Sequence, residues 1–389
     1  MVIHQTPGVY REDVFPTRTT PLPTGVPAFL GLAASGDPNV PRKLTLGAQL
    51  AKNFGPPRPE GFLAAAVAGF FANEGEQCFV VRLAEGGDAA VDPVAALADG
   101  LAALAALDDV DLVCAPDLFT VAGAGPQGLA TARRMQAALL EYCTAQGDRF
   151  ALLDAQPGAD VLAVVTQRNG LPDPAGANGA LYYPWLQVAG DGRFVPPCGH
   201  VAGIVARSDR KVGVHKAPAN EVVAGAVDLE VNLTATEQAG LNPVGINALR
   251  AFPGRGIRVW GARTLAREDA WKYVSVRRLF LTAIRWVERN LGQVAFEPND
   301  PRLWARIGRE LRVYFEGLFR AGALKGRTPA EAFYVKCDAE TNPPEVRETG
   351  RVVTEIGLAP ANPNEFVVVR IIHGTGGVSG MGGATLLGP

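Results

Sequence analysis

Serine and histidine are scarce in this chain, and their scarcity excludes several function classes at once. Only Ser35, Ser208, Ser275 and Ser379 are present, with His4, His200, His215 and His373. A serine hydrolase needs its nucleophile on a strand-to-helix elbow. The nearest pattern, Gly377-Val378-Ser379-Gly380-Met381, lacks the second glycine of GxSxG and lies in a glycine-rich terminal stretch. The histidines have neither HExxH nor any other paired spacing, so no metal is expected. Cys78, Cys114, Cys143, Cys198 and Cys337 are far apart, have no CxxC spacing, and mostly sit inside apolar runs such as Leu112-Val113-Cys114-Ala115. They read as buried free thiols, with no disulfide framework. The opening Met1-Val2-Ile3-His4-Gln5 has no basic segment followed by an apolar run, and no apolar stretch approaches bilayer-spanning length. The expectation is cytoplasmic synthesis and folding, without membrane insertion. A net charge of -2 gives no global reason to expect nucleic acid as a partner.

Ample apolar material is present. With 389 residues, 48% of them hydrophobic, the chain can fill two cores, or one core interrupted by a large insertion. Residues 1–24 read as an arm. Val9, Tyr10, Arg11 and Val14 belong to a short extended strand bracketed by Pro7, Gly8, Pro16, Pro21 and Pro23, and such a strand needs an edge supplied by something else. From 25 to 205, short apolar strands (26–32, 78–83, 110–115, 150–153) alternate with alanine-rich helices near 62–73 and 128–146. That alternation predicts a three-layer α/β domain.

The pattern changes near 206. Residues 206–372 read as a second, α+β domain. It holds a strand–turn–strand over 246–261, a largely buried helix over 267–291 and a two-faced helix over 300–324. In the last helix Leu303, Trp304, Ile307, Leu311, Tyr314, Phe315 and Leu318 share one face, with Asn299 or Asp300 as the N-cap and Pro301 at the first helical position. Strands follow over 332–337, 351–358 and 366–372. The last of these holds Phe366, Val367, Val368, Val369 and Ile371, and its Val367-Val368-Val369 is apolar on both faces, which predicts cover from both sides. Residues 373–389 form a glycine-rich tail.

Two features invite a functional reading. Gly123-Ala124-Gly125-Pro126-Gln127-Gly128 is a literal GxGxxG, but residues 116–122 separate it from the preceding strand and Pro126 removes a backbone donor. A dinucleotide site needs the glycines at the strand end, so a plain loop is the better reading and no cofactor is expected. The second feature is a basic face. Arg302, Arg306, Arg309, Arg312, Arg320, Lys325 and Arg327 stand against only Glu310 and Glu316. A solvated face is the bland explanation. No aromatic residues interleave there as nucleic acid would require, so an acidic protein partner is the sharper one.

Several ordered segments resemble the tail sheath family of contractile phages and related injection systems along nearly the whole chain. Pro7-Gly8-Val9-Tyr10-Arg11-Glu12 is similar to that family's N-terminal PGVYxEE arm, and Val26-Pro27-Ala28-Phe29-Leu30-Gly31 to its first core strand. Phe70-Phe71-Ala72-Asn73-Glu74-Gly75 with Cys78-Phe79-Val80-Val81-Arg82 resembles its FFxNGGxxCYVVRV segment. Ala217-Pro218-Ala219-Asn220, Leu241-Asn242-Pro243, Ile257-Arg258-Val259-Trp260-Gly261-Ala262-Arg263-Thr264 and Asn299-Asp300-Pro301-Arg302-Leu303-Trp304 follow in the family's order. The stretch 374–387 departs from it, being longer and richer in glycine.

The resemblance implies a structural protein and not an enzyme. Sheath subunits stack as hexameric rings in a helix around an inner tube, an open heterologous arrangement. Their terminal arms would pair with sheets of neighbouring subunits. The implied partners are neighbouring sheath subunits, the inner tube protein, and baseplate and terminal cap proteins. The implied location is a virion tail or injection particle after cytoplasmic assembly. On this basis Arg302, Arg306, Arg309, Arg320 and Lys325 are assigned to tube contact, within a tube-facing inner domain over 206–372 and beneath an outer domain over 25–205. The competing readings are an α/β enzyme, either a hydrolase or dinucleotide-dependent, and a baseplate or cap relative of the sheath.

Overall fold

The computed structural model describes residues 22–85, 91–173, 175–190 and 192–365. Both expected arm strands lie outside the described residues, the first with Val9, Tyr10, Arg11 and Val14, the second with Phe366, Val367, Val368, Val369 and Ile371. In chain order the strands are β1 (Pro27–Gly31), β2 (Arg42–Leu44), β3 (Cys78–Arg82), β4 (Leu112–Cys114), β5 (Phe150–Asp154), β6 (Gly179–Tyr183), β7 (Leu186–Val188), β8 (Phe194–Val195), β9 (Glu221–Val222), β10 (Ala226–Leu229), β11 (Ile246–Phe252), β12 (Gly256–Val259), β13 (Phe333–Lys336) and β14 (Glu355–Leu358). The longer helices are α1 (Leu63–Ala72), α2 (Pro93–Ala102), α3 (Gly125–Gln146), α4 (Val161–Asn169), α5 (Cys198–Lys211), α6 (Val274–Leu291) and α7 (Pro301–Arg320).

The main sheet has the order β2-β3-β1-β4-β5-β6-β11-β12-β9. Its centre, from β3 through β1, β4, β5 and β6 to β11, is parallel, and the edges are antiparallel. Side chains alternate between the two faces with period two. Ala28, Leu30, Val81, Val113, Ala151 and Leu181 join one core beneath α2, α3 and α4. Phe29, Val80, Leu112, Phe150 and Tyr182 join the other beneath α1, α5 and α6. This is the three-layer α/β architecture expected for the first half.

The expected domain boundary at 205/206 falls inside this one body. Ile246, Asn247 and Ala248 pair with Leu181, Tyr182 and Tyr183, so β11 and the strands beyond it extend the same sheet. Helix α5 runs across the boundary with every residue from Cys198 to Asp209 buried. A helix buried all round has no amphipathic stripe to announce it in sequence. Its backbone also lies directly on α1, since a Cβ at Gly199 would sit 2.2 Å from the Ala66 carbonyl oxygen.

The second core is small and is reached through α6. Val274 and Leu281, in the first half of this helix, pack into the main body. Ala283 and Trp286 pack with Leu303, Ile307, Leu311 and Phe315 of α7 and with Val335 of β13. The Trp286 and Tyr314 rings stack there with centroids 4.1 Å apart. β13 and β14 form a separate two-stranded sheet. Helix α6 starts at Val274, later than the expected 267, because residues 269–271 form a separate 3-10 turn.

Candidate functional site

Helix α7 orients the basic face. Asp300 caps it, its Oδ1 accepting the N–H groups of Arg302 (2.9 Å) and Leu303 (3.0 Å), and Pro301 opens the first turn. Leu303, Trp304, Ile307, Leu311 and Phe315 are buried, which turns Arg302, Arg306, Arg309, Val313, Glu316 and Arg320 outward. Not every cation on this stripe is free. Arg306 pairs with Glu297 at 2.6 Å and Arg320 with Glu316 at 2.5 Å. Arg302, Arg309 and Lys325 are exposed, with no ion pair among the described residues. Arg312 donates to the Val335 carbonyl and so braces β13.

The segment entering β1 is fixed by charges that sequence reading missed. Asp111 accepts the N–H groups of Gly25 (3.0 Å) and Val26 (2.6 Å). Arg278 of α6 donates to Asp111 at 2.9 Å and to both oxygens of Asp209 at 2.9 and 2.6 Å. Burial alone would depress the Arg278 pKa, but the two carboxylates outweigh it and raise it, so the guanidinium stays charged. Two turns along α6, Arg285 donates to the carbonyls of Pro23, Asp108 and Asp109. Sequence offered one signal for this clamp: two arginines seven apart on a helix otherwise apolar around most of its circumference.

The C-terminal segment is fixed in the same manner. Ala361 donates to Ala323 and Lys325 to Ala359 through their backbones. Glu365 takes a hydrogen bond from Arg263 Nε at 2.9 Å and pairs with its Nη2 as well. This contact raises the Arg263 pKa. Residues Pro23–Val26 and Ala361–Glu365 are thus both tied to the body by hydrogen bonds.

At the carboxyl ends of the parallel strands, where open α/β sheets hold ligands, several polar groups are engaged within the body. Asp117 accepts N–H groups from Leu32 (2.7 Å) and Phe62. Phe62 packs edge-on against Trp185 at 5.0 Å, and Trp185 donates to the Ala155 carbonyl at 2.7 Å. Asp154 accepts the Cys198 N–H. The GxGxxG glycines form an elbow between the short helix Leu118–Ala122 and α3, away from the end of β4. Gly123 and Gly125 have φ of 85° and 75°, and a Cβ at Gly128 would lie 2.0 Å from the Gly123 carbonyl oxygen. These glycines satisfy a tight turn. Among the described residues no cluster of metal-ligating side chains occurs.

Comparison with known proteins agrees with this layout. Residues 95–265 match the phage tail sheath protein central domain, and residues 267–372 the phage tail sheath C-terminal domain. The tail sheath protein of Vibrio phage KVP40 is 26% identical over 214 residues, covering 54% of this chain. The chain spans only 31% of that relative's length. Among solved structures, the anti-feeding prophage helical sheath in the contracted state aligns over 95% of this chain and 99% of its own, with 27% identity and a TM-score of 0.74. A chain of the anti-feeding prophage baseplate in the contracted state aligns over 94% and 97%, with 27% identity and a TM-score of 0.79. Matched in sequence from 95 to 372 and in fold almost end to end, the chain belongs to the phage tail sheath protein family.

Proposed function

We propose that this chain is the sheath subunit of a contractile injection machine, polymerising as helically stacked hexameric rings around an inner tube and shortening to drive that tube through a target envelope. The carrying observation is the near end-to-end agreement with a chain from a contracted helical sheath. The family is one of structural proteins, and the enzyme reading is not supported.

The partners in this reading are copies of the same chain in the same and adjacent rings, the inner tube protein, the baseplate and a terminal cap. The arms, residues 1–24 and 366–372, are the links between copies. Supporting this, both terminal segments start from fixed roots at Pro23–Val26 and Ala361–Glu365, and each strand of the β13–β14 pair has a single strand partner among the described residues. An isolated two-stranded sheet is marginal, and strands added from neighbours would complete it. The outward stripe of α7 is the tube-facing surface. Each exposed ion pair contributes about 0 to 1 kcal/mol, weak enough to exchange ring by ring and substantial when summed over a lattice. Assembly takes place in the cytoplasm, and the product is a tail or injection particle. No helix among the described residues is long and apolar enough to cross a membrane.

A second reading, a ring positioned at the baseplate, is favoured by the baseplate-derived match. Negative-stain microscopy of the purified chain with its tube protein separates the two. Long helical tubes support the sheath, single rings support the baseplate position, and compact monodisperse particles overturn both.

A further inference from the structure

Phe296 is wholly exposed, at 107% of its reference accessibility, and its φ is 69°. Residues other than glycine, asparagine and aspartate seldom adopt that left-handed conformation, and a bulky side chain there is a genuine outlier. The loop beneath it is nonetheless firmly held. Glu297 N–H donates to Val294, Asp300 N–H to Pro298, and the Glu297 carboxylate is paired with Arg306 at 2.6 Å. The Asn299 side chain bridges Trp304 Nε1 and the Arg351 carbonyl, at 2.8 Å each. The ring is therefore presented to solvent on a firmly held, strained support, with nothing among the described residues covering it. Such features mark places where a partner supplies the compensation.

We propose that Phe296 is the apolar anchor of the α7 surface, seating in a recess on the inner tube protein bordered by carboxylates. This rests on the reading of α7 as tube-facing. The partner's chemistry follows from what surrounds the ring. Arg302 and Arg309 carry no ion pair among the described residues, and Val313, about 16 Å along the helix from Arg302, is 67% exposed. The complementary surface alternates apolar and acidic groups. On this chain the recess lined by Leu32, Leu50, Phe54 and Leu63 has no carboxylate, and the groove beside Trp260 and Tyr273 has only Glu365, already held by Arg263. The recess beside Trp271 carries Glu268 and Asp173, the latter paired with Arg267, so a second copy is the competing occupant, distinguished by sheath adducts. The ring is built to be buried late, when the subunit meets the tube.

The test is photo-crosslinking in extended sheaths assembled on tubes, with benzoylphenylalanine placed at position 296 and, in parallel, at position 309. Tube adducts from position 296 are expected. Tube adducts from 309 with sheath adducts or none from 296 overturn the anchor while leaving the α7 reading intact. Sheath adducts or none from both positions overturn the two together. As an independent arm, Phe296→Gly removes the ring and relieves the backbone. The free subunit should melt no lower than the parent, while the tube concentration needed for half-maximal assembly rises about ten-fold or more. An unchanged assembly midpoint refutes the anchor.

Discussion

Arg278 and Asp209 lie 2.6 Å apart with both side chains only 2% exposed, and the same guanidinium reaches Asp111 at 2.9 Å. The cluster joins α6, the end of α5, the start of β4 and the segment entering β1. A buried ion group of this kind contributes little net stability when intact, and removing one member leaves the others uncompensated. Arg278→Met should therefore cost about 3 to 5 kcal/mol in urea unfolding. Combining it with Asp209→Leu should cost clearly less than the sum of the two single changes. Full additivity would show that the residues do not act together.

The acid response of the free subunit should reflect two buried groups of opposite sign. Burial against Gly69 holds His200 at a pKa of about 4, with no hydrogen-bond partner for Nδ1. Its stability contribution is complete above about pH 6.5 and is lost as pH falls toward 4, by roughly 3 kcal/mol in all. Burial raises Asp154 to about 7, so its contribution grows as pH falls from 7. His200→Gln should thus gain on the parent steadily between pH 6.5 and 4, and Asp154→Asn should lose ground to it below pH 7. Denaturant titrations at several pH values measure both, and parallel curves would contradict them.

Replacing Gly128 with alanine should cost about 1 to 3 kcal/mol, because the new methyl meets the Gly123 carbonyl. Calorimetry with nucleotides should find no binding in either protein. Nucleotide binding abolished by this substitution would restore the dinucleotide reading.

Reversing charge at Arg302, Arg306 and Arg309 should leave the melting of the free subunit within a few degrees of the parent. These residues face outward, and only Arg306 gives up ion pairs, the partly exposed ones with Glu297 and Glu310. Ordered sheaths on tubes should disappear from micrographs. Normal sheaths at ordinary salt would mean that α7 does not face the tube.

Deleting residues 1–15 spares the clamped segment Pro23–Val26. The truncated chain should unfold with the parent's cooperativity and fail to polymerise. Early melting would place the arm in its own core, and contractile sheaths from the truncated chain would place the links elsewhere.

Much of the fold was legible in sequence because burial leaves a pattern there. Strands β1, β3, β4 and β5 are covered on both faces and show as short continuous apolar runs, and α7 shows as a two-faced helix because one side is buried and the other is not. What escaped notice has no such contrast. Helix α5 is buried on all sides, and the two-residue strand β9 is too short to show a period. The sheet therefore continued past 205 unseen. The clamp escaped for a different reason. Asp111, Asp209 and Arg278 are distant in sequence, and only the fold brings them together. Phe296 gave no signal in sequence, because exposure and φ are not written in residue type.

The attachment of the first described residues has a mechanical consequence. Strand β1 lies well inside the sheet, between β3 and β4, and not at an edge. A pull on the chain ahead of Leu22 would be met first by Arg285 and Asp111, then by ladders on both sides of β1 at once. Tension arriving there is shared across the middle of the body and cannot peel the sheet from its rim. A body wired in this way resists unravelling from that end.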